Sequence, residues 1–250
     1  MWAKYLLLFL FCCLTYSCQE GESGGVSSQR TETLPKALLL PRTKNYNSAK
    51  INLQNLRIAV RKQLQKGKID STRAAELFTE GLLQEIIPHW YGTAWDFNGY
   101  TDTPQKGKIA CGYFVSTTLL HAGINLDRYK LAQQSPIIEA QALSLNQSIR
   151  SFQGFPAGWM SKKINKELKE GLYFIGLGGT HVGYLLKRED KLYLIHANYV
   201  DSAVVTIQPL MKSVFKYFVK WYVADITHNR TLLRYWLSGE KCELSYPDLE

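Results

Sequence analysis

The change of hydrophobic rhythm at Gly171 constrains the fold of this chain more than any other feature. Beyond it the apolar residues come in short runs, at residues 172–177, 181–186, 191–199 and 203–207, separated by turn residues. Runs of that length bounded by turns read as antiparallel strands, with Arg188-Glu189-Asp190-Lys191 as a hairpin turn. Ahead of Gly171 the spacing is helical. Leu53, Leu56, Ile58, Val60 and Leu64 fit an amphipathic helix imperfectly, and Gly67 stops it. Asp70 or Ser71 caps a second helix that Pro88 closes, and further helical stretches are predicted at 128–134, 138–152 and 162–170. Residues 214–226 suit a strand and a helix equally. A helical half followed by a sheet makes an α+β domain.

The N-terminus is a separate matter. Lys4 precedes an apolar run at residues 6–14, too short to cross a bilayer and laid out as a secretory signal. It ends in Leu14-Thr15-Tyr16-Ser17-Cys18, which resembles the lipobox of bacterial lipoproteins and makes Cys18 the expected lipidation site. Gly, Ser and Glu dominate residues 19–30, a composition suited to a tether. The expected organisation is a signal peptide at 1–17, a tether at 18–48, an N-terminal helical extension or wall at 49–88, and a catalytic domain at 89–250. The chain is then expected to be exported as an outer-membrane or cell-envelope lipoprotein, periplasmic or surface-facing. Its net charge of +9 fits anionic surroundings, and the scattered lysines and arginines carry no nucleic-acid motif.

Two of the five cysteines, Cys12 and Cys13, fall in the signal, and with Cys18 lipidated only Cys111 and Cys242 remain as ordinary thiols. An exported chain pairs its cysteines as a rule, so a Cys111–Cys242 disulfide competes with any catalytic reading. Against it, Cys242 lies in a polar tail. Residues 114, 115, 118, 119 and 122 have the spacing of a buried helix, and Gly123 is its stop, which puts Cys111 at a helix N-terminus. There the helix dipole favours the thiolate, and backbone N–H groups, that of Gly112 among them, are placed to hold an oxyanion. His181 opens a strand after the Gly178-Gly179 turn, where it can serve as base. His196, across the next hairpin, is the expected third member that orients it, with Asn198 in reserve. His121 and His228 read as structural. A zinc site from Cys111, His181 and His196 lacks a close-spaced ligand pair, so no metal and no cofactor is expected. The aromatic stretch from His89 through Trp90, Tyr91 and Trp95 has too many turn residues for a helix, and it either lines a cleft or folds back on the core.

Four pieces in this order carry a resemblance: His89-Trp-Tyr-Gly-Thr, Ala110-Cys-Gly-Tyr-Phe-Val, Thr180-His-Val-Gly-Tyr-Leu and Tyr193-Leu-Ile-His-Ala. Together they resemble the NlpC/P60 superfamily of papain-like cysteine peptidases over residues 86–207. The resemblance implies a papain-like fold and cleavage of amide bonds in peptidoglycan peptides or another amide substrate. It implies Cys111 as nucleophile, His181 as base and His196 as third member, with Tyr91 beside the nucleophile at the oxyanion or substrate and Trp95 near it. The chain departs from the family where Ala110 and Gly112 flank the cysteine in place of Asp and Ser, and where Gly171-Leu172 stands for Gly-Asp. A non-catalytic wall-binding lipoprotein and an exported amidase or effector with a non-murein substrate are the alternatives.

Overall fold

The computed structural model describes residues 34–200 and 202–246. The expected signal peptide, the expected lipidation site Cys18 and most of the expected tether lie outside the described residues. The tether is shorter than its composition suggests, because Leu38 is already fully buried and helix α1 (Tyr46–Gln65) begins before Ser48. Asn45 caps it by accepting from the Ser48 N–H. Helix α2 (Ser71–Gly81) is capped by Asp70, which accepts from the Arg73 N–H. The chain then passes through a π turn (Leu82–Ile86) and a 3-10 turn (Ile87–Trp90) into the aromatic stretch.

Two short strands, β1 (Ala94–Trp95) and β2 (Lys108–Ile109), pair in parallel and lead into α3 (Cys111–His121). Next come α4 (Arg128–Ala132), α5 (Pro136–Ser144), β3 (Arg150–Gln153) and α6 (Ala157–Glu167). The sheet-forming half holds β4 (Gly171–Leu177), β5 (His181–Arg188), β6 (Lys191–Ala197), β7 (Val205–Pro209) and β8 (Lys220–Asp225), and α7 (Arg230–Ser238) closes the fold. The main sheet has the order β3-β8-β4-β5-β6-β7 and is antiparallel throughout.

The fold is therefore mixed α+β with an antiparallel sheet, and the change at Gly171 marks its second half. One assignment needs correction, one ambiguity is resolved, and one expected turn forms with unusual backbone geometry. Residues 150–153 form the edge strand β3 rather than the end of a helix, because Phe152 alone faces inward and the backbone pairs with β8. Residues 214–226 divide into a 3-10 turn (Val214–Tyr217) and the strand β8. The hairpin between β5 and β6 forms where expected, yet it places Glu189 and Asp190 at φ of 52° and 55°. Non-glycine residues pay for that geometry unless something holds them. Here the Glu170 carboxylate does so, accepting from both N–H groups at 2.7 and 3.2 Å.

Strand alternation splits the sheet between two apolar layers. Val182, Tyr184 and Leu186 of β5 face the core shared with α1, α2, α3 and α7, and the intervening Leu185 faces a second core under α6. Leu53 and Val60 of α1 and Phe78 of α2 share the first core with Phe114 of α3, so these two helices form a wall of the domain. Trp90 can only donate, so its indole N–H goes to the Tyr46 hydroxyl at 2.8 Å, and Tyr46 donates in turn to His121 Nδ1 at 2.8 Å. That chain ties α1, the aromatic stretch and the far end of α3 together and gives His121 its structural role.

Candidate active site

Cys111 is the first residue of α3, and its helix end is pressed against neighbouring backbone. A Cβ on Gly112 would lie 2.7 Å from the Ala132 carbonyl oxygen and 3.1 Å from Glu139 Oε1, so only glycine lets α3 approach this closely. The β5–β6 ladder starts at Tyr184 and Ile195, leaving the first residues of β5 unpaired on that side. The Val182 N–H turns to the Cys111 sulfur, joined by the N–H groups of Gly112 and Cys111 itself. Cys111 thus lies beside the residue that follows His181.

A second glycine builds the histidine pair. A Cβ on Gly183 would meet the Ile195 carbonyl oxygen at 2.7 Å and His196 Cβ at 2.9 Å, so its absence lets β6 bring His196 over β5. His181 Nε2 then lies 2.7 Å from His196 Nδ1, and His196 Nε2 lies 3.2 Å from Gln208 Oε1 on β7. An amide oxygen only accepts, which fixes the protons along the chain. His196 donates from Nε2 to Gln208 and accepts at Nδ1 from the His181 Nε2–H. His181 is left with an unprotonated Nδ1, the atom a base needs. The pair is buried, His181 at 1 % exposure and His196 at 0 %.

The charge state differs from the one a helix N-terminus suggests. Burial first, and Glu139 second, push the Cys111 thiol up to about 11, against the lowering effect of the three N–H groups. Burial outweighs the dipole because removing an anion from water costs more than a partial charge returns. Burial and the neighbouring His196 hold His181 well below its ordinary value, and burial holds His196 at about 4. At neutral pH Cys111 is therefore a thiol and His181 a neutral imidazole.

Three residues of the site escaped the sequence reading. Gln208 ends the histidine chain. Tyr199, whose ring is 5.0 Å from that of His181 and whose hydroxyl feels Cys111, covers the site at 40 % exposure. Glu139 lies behind the nucleophile helix at 2 % exposure with Oε2 unpaired, and burial raises its carboxyl well above the usual range, so it carries its proton. A lone acid in the apolar segment Pro136-Ile-Ile-Glu-Ala was the available signal.

The other candidates are placed as follows. The Trp95 ring lies 5.8 Å from that of Tyr199, tilted at 45°, its backbone held by the Ala203 carbonyl and its buried indole N–H unpartnered. Tyr91 packs half-buried against the core with Trp95 and Cys111, and burial raises its hydroxyl above the ordinary value. Asn198 does not join the site: β6 ends at Ala197, and the Asn198 side chain accepts from the Val200 N–H to shape the following turn. His228 pairs with Asp225, and His89 packs on Tyr46. Cys111 and Cys242 are both free, and Cys242 is buried at 3 % exposure instead of lying in an open tail. Among the described residues no three of His, Cys, Asp and Glu come together as a metal-binding group. A cavity of about 560 Å³ between α2, the start of α7 and the β4–β5 pair shares no residue with this site.

No family model, no curated protein and no solved structure matches the chain. Geometry alone carries the chemistry that follows.

Proposed function

We propose that the chain is a papain-like cysteine hydrolase of the NlpC/P60 kind that cleaves an amide bond in a cell-envelope peptide. The observation that carries this reading is the ordered chain from His181 Nε2 through His196 to Gln208, with the neighbouring Val182 N–H on the Cys111 sulfur. A histidine held in one tautomer, beside a thiol at a helix start, is the arrangement acyl transfer requires.

In this reading the Cys111 sulfur attacks the carbonyl carbon while His181 Nδ1 takes the thiol proton. His196 steadies the imidazolium that forms. The N–H groups of Cys111 and Gly112 are the donors available to the oxyanion, and the family resemblance puts Tyr91 beside them. His181 returns its proton to the leaving amine, and water then attacks the thioester, restoring the thiol and releasing the acid. Trp95 and Tyr199 supply an aromatic wall against which a peptide can lie.

Export, lipidation at Cys18 and a peptidoglycan substrate belong to the same proposal and rest on the N-terminal pattern. A second reading, a wall-binding lipoprotein without activity, draws on the raised thiol of Cys111. The deciding experiment incubates the full chain and its Cys111→Ala variant with purified peptidoglycan and muropeptides and identifies the products by mass spectrometry. Cleavage by the wild type alone supports the hydrolase and names the bond. Silence from both, with wild type still pelleting with peptidoglycan, favours the binding reading.

A further inference from the structure

Away from the cysteine, one face combines exposed aromatics with unpaired lysines. Phe155 and Trp159 stack at 4.1 Å, yet they are 47 % and 46 % exposed. Val219, at 71 % exposure, adjoins them, because its carbonyl accepts from the Gly154 N–H, and Tyr217 two residues earlier is 66 % exposed. The two segments form one surface. Strand β3 pairs with β8, α6 packs on the 3-10 turns before β8, and Phe152, Met160, Val214 and Phe215 share one core beneath.

Its charge has one sign. No aspartate or glutamate occurs in residues 150–166 or 208–220, while Lys162, Lys163, Lys166, Lys212, Lys216 and Lys220 do. Of these lysines only Lys163 has a carboxylate partner among the described residues, Glu167 at the end of α6. Lys163 and Lys216 lie over the rings of Trp159 and Tyr217. Exposed Trp, Tyr and Phe suit the zone between headgroups and acyl chains, and lysines whose stems run along apolar surface suit anionic headgroups just outside it.

We propose that this face docks on an anionic phospholipid bilayer. Nothing in the proposal rests on the hydrolase reading. Gly178, in the turn that leads into His181, donates its N–H to the Lys220 carbonyl. Docking therefore brings the histidine end of the sheet toward the lipid surface.

The test is sedimentation of the full chain with vesicles of phosphatidylcholine alone and of phosphatidylcholine mixed with phosphatidylglycerol. Any contribution of the apolar N-terminal run is common to all variants and cancels when variants are compared. Wild type partitions more strongly onto the anionic vesicles. Each of Lys162→Ala, Lys163→Ala and Lys216→Ala lowers that preference by about fivefold. The double variant F155A/W159A lowers partitioning onto both vesicle types, and Lys62→Ala with Lys66→Ala at the C-terminal end of α1 changes nothing. Equal partitioning of wild type onto the two vesicles overturns the proposal, as does an equal loss in the α1 control. Retention by soluble polyphosphate with no effect of F155A/W159A also overturns it, marking a polyanion site instead.

Discussion

His181 Nε2 lies 2.7 Å from His196 Nδ1, and the second imidazole is itself tied to the Gln208 side-chain oxygen. On the proposed mechanism the base is thus oriented by an imidazole whose tautomer is set one residue further away. Loss of His196 frees His181 to rotate and to protonate on the wrong nitrogen. His196→Ala is expected to lower kcat on the order of a thousandfold with little change in KM. Gln208→Ala has a smaller effect, and Gln208→Glu, which keeps an acceptor in place, restores most of the activity. Steady-state kinetics on the muropeptide identified by mass spectrometry reads all three. A His196→Ala enzyme as fast as wild type would remove His196 from the mechanism.

The raised thiol has a direct readout. Alkylation follows the thiolate, so the rate at Cys111 climbs about tenfold per pH unit above neutrality and levels near the thiol's value of about 11. Glu139 contributes to that value as the second cause after burial. Glu139→Gln removes the carboxylate at alkaline pH, and its profile is expected to turn over at lower pH. Iodoacetamide labelling quantified separately for Cys111 and Cys242 measures it. An unchanged midpoint would assign the whole shift to burial.

Acid sensitivity follows from the buried histidines. His196 and His121 both titrate at about 4 in the folded chain, each lowered chiefly by burial. An unfolded histidine titrates near 6.5. Between these values the unfolded chain binds protons that the folded chain refuses, so stability is full above about 6.5, falls as pH drops toward 4, and changes no further from these groups below that. For His196 alone the loss is on the order of 3 kcal/mol. Urea unfolding at a series of pH values is the measurement, and His196→Gln should flatten the slope.

What the sequence disclosed about the site is what local rules can carry. The two-residue strand period and one hairpin place His181 beside His196, and one helical spacing with a glycine stop places Cys111 at the start of α3. Glu139 reaches the site from α5 by long-range packing, while Gln208 and Tyr199, though close to His196 in sequence, are brought to the histidine pair by the β6–β7 pairing and by the chain just after β6, which no residue spacing specifies. The thiol's charge state was missed for a related reason: a helix N-terminus is visible in sequence, but the burial that overrides it comes from packing the start of α3 against other elements, where Gly112 lies against Ala132 and Glu139 and the Glu139 charge adds to the shift. Strand β3 was hidden because Arg150-Ser-Phe-Gln offers one apolar side chain, and its strand character comes from pairing with β8. Helix α7 was missed although its signals are local, an Asn229 cap and a Gly239 stop around Leu232, Leu233 and Trp236.

Gly183 offers the sharpest test of the histidine pair, because it separates packing from chemistry. Its neighbours are the Ile195 carbonyl oxygen and His196 Cβ, at 2.7 and 2.9 Å from an added methyl, and neither is the loose end of a flexible side chain. Gly183→Ala must therefore push β6 away from β5 by several tenths of an ångström at the point where His196 leaves the strand. A contact of 2.7 Å between the imidazoles does not survive such a shift, since a hydrogen bond weakens steeply once it is stretched. The stability cost is about 1–3 kcal/mol, that of an overpacked site, while activity falls nearly as far as in His196→Ala. Gly179→Ala, two residues before His181 rather than after it, adds its methyl to open space and serves as the control. Urea unfolding and kinetics on both variants, with imidazole proton resonances reporting the hydrogen-bonded His181 Nε2–H, give the comparison. Full activity in a folded Gly183→Ala enzyme would mean that the close approach of β6 is packing alone and that His181 works without its partner.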